Sequence, residues 1–145
     1  MSQEKGTLLI NAQYIKDFSF ENPRSPFSLL EKDQPQIDIN LDIRVEQLQE
    51  ELFEVVINLA ARAQIKEEIV FVLELSYGGL FTITDYEGQK EEILLVECPK
   101  ILFPFLRRIV ADITRDGGFP PLMLSPVDFT GLYLTKKNST DSNGI

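Results

Sequence analysis

The stretch QIDINLDIRV at residues 36–45 places an apolar side chain at every second position. Isoleucine, leucine or valine alternates with a polar or charged residue throughout it. Because successive side chains of a β-strand point to opposite faces, this period of two predicts a strand with one buried face. It is the clearest strand signal in the chain, and the neighbouring segments can be compared with it.

Three further segments show the same alternation. Apolar side chains occupy even positions in residues 8–20, and odd positions in residues 53–64 and 69–83. Ile15 and Lys16 interrupt the first pattern, which predicts a β-bulge or a solvent-exposed strand edge near Lys16. A glycine pair at residues 78–79 interrupts the last, yet the odd phase resumes beyond it, as expected of a bulge or a close approach of two backbones. Because the links between the last three strands are short, we predict an antiparallel meander.

The second half of the chain changes to helical spacing. Between Ile101 and Ile113 the apolar residues recur every three or four positions, and two glycines at residues 117–118 supply a C-terminal stop. We expect the regular part of this helix to begin at Pro104, after an irregular or short helical piece at residues 91–97.

A last helix is predicted near the C-terminus. Ser125, Pro126 and Asp128 match an N-cap, a proline at the first helical position and an acidic first turn. This helix is expected to run to residue 137, so residues 1–137 form a single domain and residues 138–145 a flexible C-terminal tail. Strands followed by helices predict the α+β fold class.

Composition and charge limit the possible functions. The 145 residues suffice for one domain that buries about 70% of its unfolded surface. The formal net charge of −9 repels phosphate backbones and anionic lipid head groups, so we expect no nucleic-acid partner. It favours a basic protein partner instead. Every long apolar stretch is interrupted by charge, so we expect no direct membrane insertion. Residues 1–7 lack the apolar core of a signal peptide and Cys98 is the single cysteine, so a cytoplasmic location is expected.

Few residues offer catalytic chemistry. The sequence contains no histidine, and Cys98 has no visible activating partner. Asp38, Asn40 and Asp42 match the start of a calcium-binding loop, but the glycine and glutamate that this loop requires are replaced at the matching positions. We therefore expect no catalytic residue, no metal and no cofactor. The predicted protein binds other polypeptides and is not an enzyme.

Two predicted loops carry more apolar side chains than solvent-exposed connections usually do. One contains Phe27, Leu29 and Leu30 between prolines, and the other is an apolar run at residues 119–124. One interpretation is that these loops cover the core or an oligomer interface. The other is a groove for extended apolar polypeptide, in which several pockets in a row are needed for micromolar affinity.

Four segments that span almost the whole chain carry specific motifs: YIKDFSFENP at 14–23, ELSYGGLF at 74–81, CPKILFP at 98–104 and GFPPLMLSPVDF at 118–129. In this order they resemble the SecB family of bacterial protein-export chaperones. The resemblance implies a four-stranded antiparallel β-sheet with helices packed on one face, in a homotetramer built as a dimer of dimers. It also implies a chaperone that holds unfolded precursor proteins without ATP and delivers them to the SecA export motor.

The resemblance further implies two binding surfaces. A polypeptide-binding groove would contain the loop residues Phe27, Leu29 and Leu30 and the helical-side residues Phe103, Phe119, Leu122 and Leu124. An acidic docking surface for the basic C-terminal tail of SecA would comprise Asp17, Glu21, Val72 and Glu74. Gln34 stands where the family often carries an aromatic residue.

Two functions of different classes remain open. One is the general chaperone just described, and the other is a module of the same fold devoted to one client, as in SecB-like chaperones of toxin–antitoxin systems. Asp17, Glu21 and Glu74 favour the first, because a dedicated module does not need the motor's docking surface. A small-molecule-binding or catalytic domain is a third, which a ligand retained through purification would favour.

Overall fold

A computed structural model describes residues 6–84 and 88–143 of the chain. In chain order the elements are β1 (Thr7–Glu21), a 3-10 helix (Phe27–Leu30), β2 (Gln36–Gln47), β3 (Leu52–Ile65), β4 (Glu68–Thr84), α1 (Lys90–Glu92), a π-helical segment (Ile93–Glu97), α2 (Cys98–Asp116) and α3 (Phe129–Asn143). The strands come first and the longer helices follow, which confirms the α+β fold class.

All four strands form one antiparallel sheet in the order β1-β4-β3-β2. Strands β2, β3 and β4 form the predicted meander, and β1 pairs with β4. A two-residue turn joins β3 to β4, in which Lys66 and Glu67 have φ angles of 52° and 69°. Positive φ at both central residues is typical of the type I′ turn, whose twist matches that of the flanking strands. This tight turn fixes the register of the hairpin.

The bulge predicted at Lys16 is confirmed. The register of β1 against β4 shifts between Ile15 and Asp17, so Lys16 is the extra residue. A bulge turns its side chains away from the regular alternation. Lys16 and Asp17 therefore both line one concavity on the sheet surface, although they are adjacent in sequence.

The glycine pair of β4 has a different role from the one predicted. The strand runs through Gly78 and Gly79 with no register shift at either residue, so the predicted bulge is wrong. A Cβ on Gly78 would lie 2.9 Å from a ring carbon of Tyr14, and one on Gly79 would lie 2.6 Å from the ring of Phe81. The glycines are needed because aromatic side chains pack closely over the strand, and not because two backbones approach.

The core lies between the sheet and α2. Odd-numbered residues of β3 and β4 point to this side and are almost fully buried, the larger ones being Ile57, Phe71, Leu73, Leu75 and Phe81. From α2, Leu102, Leu106 and Val110 recur every four residues and pack against them. The helical layer therefore covers one face of the sheet, as predicted. The other face carries polar side chains such as Glu54, Asn58 and Glu74, together with the apolar Val56 and Val72.

The main helix begins earlier than predicted. The irregular piece expected at residues 91–97 is present as α1 and the π-helical segment, but α2 follows it directly from Cys98. Pro104 lies inside α2, so the predicted start at this residue is wrong. A proline there removes one backbone hydrogen bond, yet Leu102 and Leu106 on either side are fully buried. Packing of this apolar face outweighs the local cost.

The last helix begins later than predicted. The amide of Gly131 donates a hydrogen bond to Asp128 Oδ1 at 3.0 Å, and α3 starts at the next residue after Asp128. Asp128 is therefore the N-cap, and the predicted start at Ser125 and Pro126 is wrong because the side chain that closes the first turn lies further along the chain.

The C-terminal part of α3 extends beyond the predicted domain boundary. The helix continues to Asn143, whereas the sequence predicts an end at residue 137. Flexibility of residues 138–145 stays a prediction, and residues 144–145 lie outside the described residues. None of the helices in the described part of the chain is long and apolar enough to cross a membrane.

Candidate functional site

An open groove lies between the loop at residues 22–35 and the connection at residues 117–124 that follows α2. Its cavity volume is about 410 Å³. Most of its lining residues are apolar: Leu29, Pro35, Ile37, Ile65, Val70, Phe71, Phe119, Pro120, Pro121, Leu122 and Met123. This size and composition are typical of sites that enclose several apolar groups of a ligand.

The structure brings together part of the predicted set of groove residues. Three of the seven line the groove, namely Leu29, Phe119 and Leu122. Phe27 and Leu30 belong to the same loop but are 69% and 78% exposed, and they lie outside the lining. Phe103 and Leu124 are buried in the core and do not line the groove either.

Two contacts tie the walls of the groove to each other. The side-chain amide of Asn22 donates a hydrogen bond to the Gly117 carbonyl at 3.0 Å. Leu29 packs so closely on Gly118 that a Cβ there would lie 3.0 Å from either of its methyl groups. Gly118 also has a φ of 95°, which other residues rarely adopt. The loop therefore packs against the turn at Gly118, whose backbone conformation would be strained for any other residue.

Thr114 fixes the second wall. Its side chain is fully buried, donates to the Val110 carbonyl at 2.8 Å, and accepts a hydrogen bond from the Leu122 amide at 2.9 Å. The amide of Phe119 donates to the Thr114 carbonyl at 3.1 Å. One residue at the end of α2 therefore positions two of the apolar side chains that line the groove.

The floor of the groove comes from the sheet. Phe71 lies between Phe20 and Phe119, with ring centroids 5.8 Å and 5.1 Å apart. The register of β4 against β3 shifts next to Ile69, so Val70 is an extra residue and joins Phe71 in the lining. Sequence reasoning missed these floor residues because the alternation predicts an ordinary core position for Phe71 and the opposite face of the sheet for Val70.

The predicted docking residues share the opposite face of the sheet. In the β1–β4 ladder Glu21 lies opposite Val72, and Ser19 lies opposite Glu74. Residues directly opposite each other point to the same face, and this face is turned away from α2. Asp17 belongs to the same face, opposite a serine. We call the set Asp17, Glu21, Val72 and Glu74 the acidic face.

The acidic face adjoins an open concavity of about 760 Å³, whose charged lining residues are Lys16, Asp17, Asp42, Arg44, Glu46 and Glu54. Both cations are paired. Lys16 Nζ lies 2.7 Å from Glu54 Oε1, and Arg44 Nε lies 3.4 Å from Asp42 Oδ2. Within residues 6–84 and 88–143, the three carboxylates of the acidic face form no salt bridge.

Glu54 is the most strongly engaged carboxylate of the concavity. Besides Lys16, it accepts a hydrogen bond from the Tyr14 hydroxyl at 2.6 Å. The hydrogen bonds from Lys16 and Tyr14 lower its pKa. Burial, together with the neighbouring carboxylate, raises the pKa of Tyr14. Glu54 is therefore ionised and Tyr14 is neutral at physiological pH.

The single cysteine lies away from both surfaces. Cys98 is fully buried at the start of α2, and burial, with a further contribution from Glu97, raises the pKa of its thiol to about 12. A thiol in this state is a poor nucleophile. Among the described residues no group of three or more cysteine, aspartate or glutamate side chains is arranged to hold a metal ion.

The sequence is similar to those of known proteins. The family model described as "Preprotein translocase subunit SecB" matches residues 1–140. A protein of Maricaulis maris named "Protein-export protein SecB" is 52% identical over 128 residues, which are 87% of this chain and 74% of the relative. A protein of the same name from Rhodospirillum centenum is 46% identical over 140 residues, 94% of this chain and 83% of the relative.

A solved structure shares the fold. A SecB-like chaperone of Mycobacterium tuberculosis, in complex with a peptide from an antitoxin, matches with a TM-score of 0.68. The match covers 83% of this chain and 91% of that one at 18% sequence identity. At this identity the likeness concerns the arrangement of strands and helices.

Proposed function

The chain belongs to the SecB family of protein-export chaperones, and on this premise we propose an ATP-independent holdase that binds unfolded precursor proteins in the groove and delivers them to the SecA export motor. The proposed activity takes place in the cytoplasm and needs no cofactor and no catalytic residue. Client polypeptides, the motor and further copies of the chain are its partners.

The client-binding role is supported by an apolar groove that the folded chain leaves open. Leu29 and Met123 at its rim are 43% and 59% exposed. Burying one side chain of the size of leucine or phenylalanine contributes about 1.5–3 kcal/mol, whereas micromolar affinity requires about 8 kcal/mol after the costs of association. Several client side chains must therefore bind together, which favours an extended, unfolded segment.

The groove residues that we propose to contact clients are those in its lining, Leu29, Phe119 and Leu122. Phe27 and Leu30 are proposed to extend the surface along the exposed side of the loop. Phe103 and Leu124 are proposed to act from the core, where they support the helical side of the groove.

The acidic face supports the proposed docking role. Asp17, Glu21 and Glu74 are exposed, and Val72 adds an apolar contact between them. The basic C-terminal tail of the motor is complementary to this charge, and charge complementarity of this kind speeds association and favours the right partner. Because groove and acidic face lie on opposite sides of the sheet, a client and the motor can be held at the same time.

The proposed homotetramer, a dimer of dimers, is supported by an uncovered apolar strip. β1 is an edge strand, and Ile10, Ile15 and Phe18 on it are exposed. Ile15 lies opposite Tyr77, whose ring stacks on exposed Phe105 of α2 at 6.2 Å, so the strip continues from strand to helix. Patches of this kind, beside an unpaired strand edge, are typical of subunit contacts.

Suppression of client aggregation tests the proposal. Stoichiometric protein, without nucleotide, should prevent light scattering by two unrelated secretory proteins diluted from denaturant. Lack of any effect on both would contradict the chaperone role. Protection of one client alone would favour the dedicated module.

A matched pair of variants assigns the effect to the groove. Leu29→Asp places a charge in the lining, whereas Leu48→Asp changes an equally exposed leucine in the β2–β3 connection, away from the groove. We expect L29D to lose suppression and L48D to keep it, because an unpaired charge is costly to bury against an apolar client. If the two variants suppressed aggregation to the same extent, the client would bind outside the groove.

A further inference from the structure

One cation of the concavity lies directly beside the proposed docking residues. Lys16 precedes Asp17 in sequence, and both line the concavity together with Glu54. A free ammonium at this position would repel a basic partner and pair with the carboxylates that are meant to bind it. The partner that the acidic face accepts therefore depends on where the Lys16 side chain is held.

The fold holds the Lys16 side chain on Glu54. As the extra residue of the bulge it has no partner in the ladder, and its side chain reaches across β4 to Glu54 on β3. There Nζ donates to Glu54 Oε1 at 2.7 Å, while the Tyr14 hydroxyl donates to Oε2 at 2.6 Å. Both carboxylate oxygens of Glu54 are thus engaged by residues of β1.

Gly78 makes this arrangement possible. It lies on β4 between Tyr14 and β3, and a Cβ there would come within 2.9 Å of the Tyr14 ring. Without a side chain at this residue, the ring can lie over β4 and its hydroxyl can reach Glu54. The Glu54 side chain is only 12% exposed, whereas that of Lys16 is 49% exposed. Glu54 therefore presents little charge to a partner itself.

We propose that Glu54 is a specificity-determining residue for the basic partner, because it holds the Lys16 ammonium and leaves Asp17, Glu21 and Glu74 as the charges that the partner meets. Tyr14 is a positioning residue in the same arrangement, since it orients the Glu54 carboxylate. The inference rests on the docking role proposed for the acidic face, and it adds residues of β1 and β3 that do not themselves belong to that face.

A double-mutant cycle tests the inference with a labelled lysine-rich peptide as the probe, by fluorescence anisotropy at low ionic strength. Lys16→Gln should change the affinity less than about two-fold in the wild type, because the ammonium is already held, whereas E54Q should weaken binding about five-fold. Adding Lys16→Gln to E54Q should restore most of that loss. Both effects should diminish at about 0.5 M salt.

Glu46→Gln is the matched control. Glu46 lines the same concavity and its neutralisation changes the charge by the same amount, but none of the salt bridges among the described residues involves it. Lys16→Gln should therefore have the same small effect in E46Q as in the wild type. Tyr14→Phe removes one hydrogen bond and no charge, and it should weaken peptide binding about two-fold. This variant still tests the inference if E54Q does not fold.

The possible results distinguish failure of this inference from failure of the docking role on which it rests. Equal effects of Lys16→Gln in the wild type, E46Q and E54Q would show that the charges act additively and would overturn the inference alone. Absence of peptide binding by the wild type would overturn the docking role and the inference together. A coupled effect confined to the pair Lys16 and Glu54 would support both.

Discussion

The groove and the acidic face lie on opposite sides of one sheet and are built in different ways. The groove takes Leu29 from the loop after β1 and Phe119 and Leu122 from the connection after α2. The acidic face takes its residues from β1 and β4, where ladder hydrogen bonds fix their spacing. In the proposed function, walls made of loops would suit many client sequences, whereas charges fixed on strands would suit one partner.

The two surfaces also differ in the interaction by which they would bind a partner. Apolar burial is non-directional and roughly proportional to the area removed from water, so a client needs no particular sequence. Attraction between the acidic face and a basic tail depends on distance and is screened by salt, with a Debye length of about 8 Å at physiological ionic strength. Substitutions and salt should therefore affect the two proposed activities separately.

We expect the greatest loss of stability from a substitution of Phe71, which belongs both to the sheet and to the floor of the groove. Phe71 is almost fully buried between Phe20 and Phe119, so Phe71→Ala should leave a cavity and cost about 3–5 kcal/mol of unfolding free energy. Phe27→Ala, at a highly exposed aromatic residue of the loop, should cost less than about 0.5 kcal/mol. Urea unfolding measures both, and similar costs would contradict the assigned packing.

A second prediction concerns the groove wall alone. Gly118→Ala should destabilise the fold by about 1–2 kcal/mol and weaken client binding several-fold, because a Cβ adds strain at positive φ and pushes Leu29. Gly88→Ala is the control: Gly88 also has positive φ, at 74°, but no described atom lies within 4 Å of the added Cβ. Equal loss of client affinity in the two variants would mean that strain, and not the wall, is responsible.

A charge reversal should affect only the other side of the sheet. Glu74→Lys should weaken binding of the basic tail about ten-fold at low salt and leave client affinity unchanged. Glu50→Lys makes the same change in the β2–β3 connection, away from the acidic face, and should have a much smaller effect. Loss of client binding in E74K, measured by anisotropy with a labelled unfolded client, would contradict two separate sites.

The smallest expected effect is on stability at low pH. The pKa of Glu54 is lowered in the folded state, so its contribution is present above the usual value of 4.5 and is lost as the pH falls through the lowered one. The difference in unfolding free energy between wild type and E54Q should stay below about 1 kcal/mol and should shrink below about pH 4.5. A difference that persists unchanged at about pH 3 would show that the ion pair is not its source.

Much of the fold could be predicted from local patterns. Period-two alternation located all four strands, because each strand has one face on the core. The same parity predicted that Asp17 and Glu74 lie on polar faces, and the ladder places them on one. The start of α2 could not be predicted, because Pro104 is tolerated only through packing against the sheet.

The two candidate surfaces were less predictable than the strands. Leu29 and Leu122 are identifiable as apolar residues in loops, but Phe71 in the floor follows an ordinary strand pattern. The contact between Lys16 and Glu54 joins residues that are 38 positions apart on strands that are not neighbours. No local pattern contains such a contact, since it depends on the strand order and on the open space above Gly78.

Simultaneous binding of a client and a basic peptide would show whether the groove and the acidic face are independent sites. A labelled lysine-rich tail peptide can be titrated with the protein alone and with the protein saturated by an unfolded client, at the same ionic strength. We expect dissociation constants that agree within about two-fold, because groove and acidic face are on opposite sides of the sheet. Displacement of the peptide in proportion to added client would contradict this expectation.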